Sequence, residues 1–179
     1  RHNIIIISSN SKKLFKDRLM KIYDCFTFFN EIELLEIRLS ILNEIVDYFV
    51  IVESNYTHSG KNKNYNFSKA KDRFKKWESK IIYYPIDQNL EGLSFNENIT
   101  VYSPKSSAWI LENDQRNSIS KINDLIKDDD IILVSDLDEI PDPEIIKNLK
   151  LRNEPLALEM LLNYYFLNFQ TLIKNPYNY

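Results

Sequence analysis

The chain has 179 residues, a mass of 21.3 kDa and a formal net charge of −3, with a pI near 5.5. That length holds one domain with a core of its own, and the acidic balance argues against a protein built to bind nucleic acid. A single cysteine (Cys25) excludes a disulfide framework, two histidines (His2 and His58) beside it do not make tetrahedral zinc, and two glycines (Gly60 and Gly92) exclude the glycine-rich phosphate loops.

Residues 1–20 carry the run Ile4-Ile5-Ile6-Ile7. It is far short of the ~20 apolar residues of a membrane helix and of the roughly 7 of a signal core. This segment fits the pattern that follows worst. It reads either as an added strand and helix or as an N-terminal extension of a domain over 21–179. The chain begins at Arg1, which leaves room for a targeting or anchoring segment upstream.

From residue 21 apolar runs alternate with helical periods. Residues 21–28 (KIYDCFTF) and 48–53 (YFVIVE) read as strands, the second nearly unbroken in its hydrophobicity, as befits a strand covered on both faces. Between them, Ile32, Leu35, Leu39, Leu42 and Val46 make one buried stripe on a helix over 31–46, with Asn30 in the N-cap position. Residues 68–78 predict a short charged helix with Ser68 as cap and Phe74 and Trp77 facing inward. Residues 80–86 (KIIYYPI) predict a third strand, 87–107 a long polar connection, and 108–127 a helix through Ile119, Ile122 and Ile126. Residues 131–135 (IILVS) predict a fourth strand, 143–150 a helix with Pro143 in its first turn, and 156–162 (LALEMLL) a fifth strand. This alternation predicts an α/β fold with a mostly parallel sheet and helices on both faces.

In such sheets ligands bind beyond the carboxyl ends of the strands. The most informative of those ends is Ser135-Asp136-Leu137-Asp138-Glu139-Ile140-Pro141. In extended geometry Asp136 and Asp138 face the same way. Two carboxylates so placed repel unless a hard cation such as Mg²⁺ or Mn²⁺ sits between them. A solvated strand end also gathers acids, but the wholly apolar run before these and their place at the ligand edge favour a metal site. Asp128 to Asp130 lie at the other end of the strand and read as a solvated turn.

Two further groups stand out. In Trp109-x-x-Glu112-x-x-Gln115-Arg116-Asn117, residues 109, 112 and 116 share a helix face. Either Glu112 and Arg116 simply pair, or Arg116 and Asn117 reach toward a diphosphate or ribose. Glu53 ends a buried strand and needs a partner there, a ribose or base on one reading and a core arginine such as Arg38 on the other. Lone His58, in the polar loop Ser54-Asn55-Tyr56-Thr57-His58-Ser59-Gly60-Lys61, reads as a surface residue. Neither it nor Ser59 has an evident triad partner.

In this order the pieces resemble glycosyltransferase family 17. The blocks that carry the resemblance are Ile22-Tyr-Asp-Cys-Phe-Thr-Phe-Phe-Asn-Glu31, Leu34-Leu-Glu-Ile-Arg-Leu39, Val46-Asp-Tyr-Phe-Val-Ile-Val-Glu-Ser54 with Thr57-His-Ser-Gly-Lys61, Arg73-Phe-Lys-Lys76, Gln115-Arg-Asn117 and Ser135-Asp-Leu-Asp-Glu-Ile-Pro141. The resemblance implies a GT-A-like, Rossmann-like fold, a UDP-sugar donor with UDP-GlcNAc foremost, and a divalent cation, Mn²⁺ or Mg²⁺. It also implies inversion at the anomeric carbon and a glycan or glycoprotein acceptor of mannose type. Carried over residue by residue, Asp136 and Asp138 hold metal and diphosphate, and Glu139 shapes the same edge. Arg116 and Asn117 lie on the helix beneath the nucleotide, while Phe28, Asn30 and Glu53 stand near the uridine. Glu159, at the end of the fifth strand, is the candidate general base, with a purely structural acid as the other reading. The chain stops at Asn175-Pro-Tyr-Asn-Tyr179 without a finishing element, so the domain is expected to continue. A nucleotide-sugar-binding domain without transfer, and a metal-dependent nucleotidyl- or phosphotransferase, are the competing expectations.

Overall fold

The structure is a computed structural model that describes residues 3–7, 20–95, 105–149 and 155–159. In chain order the elements are β1 (Asn3–Ile7), β2 (Ile22–Phe28), α1 (Ile32–Leu42), β3 (Tyr48–Ser54) and α2 (Asn66–Ala70), which runs into a 3-10 helix over Lys71–Lys80. There follow β4 (Ile81–Ile86), α3 (Ser107–Asn117) with a 3-10 turn over Ser118–Ile122, β5 (Ile131–Ser135), α4 (Pro143–Lys147) and β6 (Leu156–Glu159). They form a six-stranded sheet in the order β4-β3-β2-β5-β1-β6.

β4, β3, β2 and β5 are mutually parallel, and β1 pairs antiparallel with both β5 and β6. The sequence predicts the parallel α/β core. What it leaves open at residues 1–20 is resolved in part: residues 3–7 are a strand inside the sheet. Pro85 lies in β4, an edge strand, where its missing N–H breaks no inner ladder.

The period-two alternation of the central strands feeds two cores. Ile22, Phe26, Phe28, Phe49, Ile51, Ile131 and Leu133 face α1 (Leu35, Leu39, Leu42), Phe74, Trp77 and Ile146 of α4. Tyr23, Cys25, Val50 and Val52 face Ile119 and Ile122 on the opposite side. Phe74 and Trp77 are three apart, which suits the three residues per turn of the 3-10 helix that replaces much of the expected α-helix over 68–78.

Local details differ from expectation. Asn30 is not the N-cap of α1; that position is Glu31, whose carboxylate turns back to accept from the N–H groups of Phe29 and Asn30 at 3.3 and 3.0 Å. Ser68 lies inside α2, which begins at Asn66 and is preceded by Tyr65. Helix α3 stops at Asn117 and continues only as a 3-10 turn. Asp130 is 4% exposed, because its carboxylate accepts from Lys21 N and Lys127 N, each at 2.8 Å, and so staples the entry to β5. Residues 160–162 of the expected last strand, 96–104 of the polar connection and Lys150 lie outside the described residues.

Candidate functional site

From β2 the chain steps to β3 and β4 on one side, then crosses back to β5 on the other. The carboxyl ends of β2 and β5 therefore flank a topological switch point, where a crevice must open because the loops leave in opposite directions. A cavity of about 280 Å³ lies there, lined among others by Phe28, Phe29, Glu112, Arg116, Asp136 and Asp138. A second, of about 460 Å³, adjoins it through Phe28, Phe29, His58 and Gln115, and adds Tyr56 and Lys63.

The acidic segment is a turn rather than a continuation of the strand. Glu139 N–H donates to the Asp136 carbonyl and Ile140 N–H to that of Asp138, both at 3.1 Å. The Glu139 carboxylate accepts from Asp136 N at 2.9 Å. The extended alternation expected for Asp136 and Asp138 is thus replaced. The turn buries Leu137 (6% exposed) as its anchor and leaves Asp138 in solvent. The Asp138 side chain has no hydrogen-bond or ionic partner among the described residues. Asp136 meets the Arg116 guanidinium through Oδ1.

Arg116 pairs with Glu112, as one of the two sequence readings has it, and lines the crevice. Its Nε and Nη2 donate to Glu112 Oε1 at 3.2 and 3.0 Å, one helical turn back, while Nη2 also reaches Asp136. Burial works against its charge, but Asp136 and Glu112 outweigh it and hold the guanidinium above its usual pKa. His58 Nδ1 stands 3.9 Å from Glu112 Oε2 and the imidazole is mostly exposed, at the crevice mouth. Asn117 is exposed at the end of α3, and Asn30 is exposed beyond β2. Neither lines the crevice, whereas Phe29, 40% exposed, does.

Glu53 is completely buried and fully engaged. Its carboxylate accepts from Lys63 Nζ (2.8 Å), Asn66 N (2.6 Å), Phe67 N (3.0 Å) and Tyr83 OH (2.9 Å). It caps the N-terminus of α2 from another strand, where the free N–H groups favour an anion. Arg38, the core arginine that one of the two sequence readings offered it, serves Asp24 instead. Lys63, fixed by Glu53, stands 5.4 Å from the centre of the Phe29 ring and forms part of the cavity wall.

Gln115 stands in the motif that the sequence singles out, but the sequence reading gives it no role of its own. It is 7% exposed, and its amide donates to the carbonyls of Val52 (2.9 Å) and Phe28 (3.4 Å), tying α3 to the ends of β3 and β2. The available signal was a polar residue on the same helix face as Leu111 and Ile119. Glu159 lies at the end of β6, three strands from β2. Its backbone pairs with Asn3, and Ile5 pairs with Val134, so Glu159 is level with residue 136 and two strand spacings away, roughly 10 Å. Among the described residues no group of three or more His, Cys, Asp or Glu converges on one point. No helix among them is long and apolar enough to cross a membrane.

A profile described as Glycosyltransferase family 17 matches residues 9–176. The beta-1,4-mannosyl-glycoprotein 4-beta-N-acetylglucosaminyltransferase of Homo sapiens is similar to the chain, 27% identical over 146 residues that cover 76% of this chain and 25% of the human protein. The proteins of that name from Rattus norvegicus and Mus musculus match at the same identity and coverage. The chain thus spans about a quarter of the length of these curated relatives. No solved structure gives a significant match.

Proposed function

As the chain belongs to glycosyltransferase family 17, we propose that the crevice between β2 and β5 binds a UDP-sugar, UDP-GlcNAc foremost, and that the domain transfers the sugar with inversion to a hydroxyl of a mannose-bearing glycan or glycoprotein. The observation that carries this reading is the meeting of Asp136, Asp138 and Arg116 at the switch point of the sheet, beside an aromatic wall. The relatives' names speak of mannosyl-glycoprotein as what they act on and of N-acetylglucosamine as what they transfer.

Phe28 and Phe29 offer apolar surface to a base or ribose, and Lys63 and Arg116 offer charge to a diphosphate. Glu53 shapes this wall indirectly, through Lys63. The donor set also suits a hard divalent cation. Asp138 is exposed and has no side-chain partner among the described residues, and Asp136 engages Arg116 through Oδ1, so two carboxylates would hold Mn²⁺ or Mg²⁺, with room for diphosphate oxygens and water beside them. When bound, the cation neutralises charge on the leaving diphosphate, an effect of several kcal/mol. The acceptor hydroxyl attacks the anomeric carbon on the face opposite the diphosphate. The new C–O bond forms as the old one breaks, the electron pair leaves with UDP, and a carboxylate takes the hydroxyl proton. Glu159 is our candidate for that base, from its position level with Asp136.

The test is UDP release from UDP-GlcNAc by the full chain, with Mn²⁺ and a mannose-bearing acceptor, beside Asp138→Ala. We expect Mn²⁺-dependent UDP release in the wild type and loss of Mn²⁺-dependent UDP binding in the variant. UDP affinity indifferent to both Mn²⁺ and Asp138→Ala would sink the reading. A nucleoside monophosphate or sugar phosphate among the products would replace it with attack at phosphorus.

A further inference from the structure

The turn that displays Asp136 and Asp138 is short, and of its own it has two backbone hydrogen bonds, the Glu139 carboxylate on Asp136 N at 2.9 Å and Ser135 Oγ on the Glu139 carbonyl at 3.3 Å. Its shape is set from beneath by one side chain. Arg38 projects from the buried stripe of α1 and is fully buried. Its Nη1 donates to three carbonyls of the turn: Asp136 at 2.8 Å, Leu137 at 3.0 Å and Glu139 at 3.1 Å. Its Nη2 donates to Ser135 Oγ at 2.6 Å, the last residue of β5. The remaining bonds run to Asp24 in the middle of β2, Nε to Oδ2 at 2.8 Å and Nη2 to Oδ1 at 2.7 Å. The Phe26 ring closes the face of the guanidinium, 4.6 Å from its carbon.

A guanidinium has five N–H groups in a rigid plane. Here they serve six acceptors, so at least one proton is shared. Asp24 fixes that plane by a two-pronged contact, and the plane then fixes where the carbonyls of Asp136, Leu137 and Glu139 can lie. A lysine keeps the charge but has no planar fork. A hydrophobic residue of equal size keeps the packing of α1 but removes all three bonds that the guanidinium sends to the turn carbonyls. A structural ion pair needed only to tie α1 to β2 would not send three bonds into the loop beyond β5.

We infer that Arg38, oriented by Asp24, is a positioning residue that holds the Asp136–Glu139 turn in the geometry in which its carboxylates meet a cation and a diphosphate. This rests on the proposed donor site for its consequence, but its structural half stands apart from it.

The experiment therefore has two arms, on the full chain with Arg38→Lys and, as the milder change, Ser135→Ala. In the first arm, hydrogen exchange is followed without metal. Arg38→Lys should speed exchange at the Glu139 and Ile140 amides tenfold or more, while the Val50–Val52 amides of β3 stay within about twofold. In the second arm, UDP binding is measured in Mn²⁺ and in chelator. Arg38→Lys should reduce the Mn²⁺-dependent gain in affinity tenfold or more, with affinity in chelator within about twofold of wild type. Ser135→Ala should move both readouts the same way by a smaller factor, and it carries the test if Arg38→Lys does not fold. Turn amides unchanged, or turn and strand amides accelerated alike, would overturn the inference. A wild type with no Mn²⁺-dependent gain would instead sink the donor-site reading and leave the exchange arm to judge Arg38.

Discussion

Glu53 and Asp138 are carboxylates at the same edge of one sheet, and their surroundings give them opposite tasks. Glu53 has no exposed surface and four donors around it; Asp138 has solvent and no partner among the described residues. Removing Glu53 strands Lys63 and uncaps α2, so Glu53→Ala should cost about 3–5 kcal/mol in urea unfolding. Asp138→Ala should stay within about 0.5 kcal/mol of wild type, since it touches no stabilising feature. A large stability loss at Asp138 would mean that the turn needs this carboxylate for its own shape. Arg116 lies between these extremes, partly exposed and shared by Glu112 and Asp136. Arg116→Met should weaken UDP binding about tenfold or more, the scale of one charge-assisted hydrogen bond. Isothermal titration with and without the substitution would read this directly.

At the scale of elements, the loop between β3 and α2 shows how one backbone angle supports a wall of the crevice. Thr57 and Lys61 close it through N–H to O contacts of 2.9 Å at the Thr57 amide and 3.1 Å at Thr57 Oγ1, with a bridge between Tyr56 and Asn62. Gly60 sits within it at φ +72°, and a Cβ there would meet the Phe95 ring at 2.5 Å. Gly60→Ala should therefore cost roughly 1–2 kcal/mol and raise the donor KM, because His58 and Lys63 hang from the same loop. A thermal melt and a donor titration on one variant would show both effects. The acidic motif itself was legible, as a sharp end to the run Ile131–Val134. Its backbone was not, because alternation assumes the strand continues, and here the Arg38 fork bends the chain into a turn. Asp24 and Arg38 each left a trace: one acid in an apolar strand, and one base on an apolar helix stripe. Nothing local says that the two meet, since α1 must first dock on β2. The Glu53 cap is similar. The need for a partner was readable, but helix N–H groups that arrive 13 residues later in the chain carry no side-chain signature.

For the whole molecule, the parallel core was legible because each inner strand is apolar on both faces and each connecting helix shows one stripe. β1 was not, because its place between β5 and β6 is decided by pairing across more than 120 residues rather than by its own pattern. Full burial of Cys25 and partial burial of Tyr65 and Tyr83 have a consequence that titration can reach. Burial, with the Asp87 hydrogen bond behind it, pushes the Tyr65 phenol up to about 12. Burial and Glu53 push Tyr83 up as well, and burial raises the Cys25 thiol well above its usual value. Each group keeps its proton in the folded chain at a pH where the unfolded chain has released it. Unfolded thiols titrate near about 8.5 and phenols near about 10. Between the unfolded and folded values the native state binds more protons, so stability falls as pH rises. It is full below about pH 8, begins to fall as unfolded Cys25 ionises, and falls more steeply above about pH 10 until Tyr65 itself ionises at about 12. The urea midpoint should accordingly drop in two stages across that range, and Tyr65→Phe should flatten the second. Phenolate absorbance should rise in step with unfolding rather than ahead of it for these two tyrosines. A midpoint independent of pH up to about 11 would mean that Tyr65 and Tyr83 are as open to water in the folded chain as in the unfolded one.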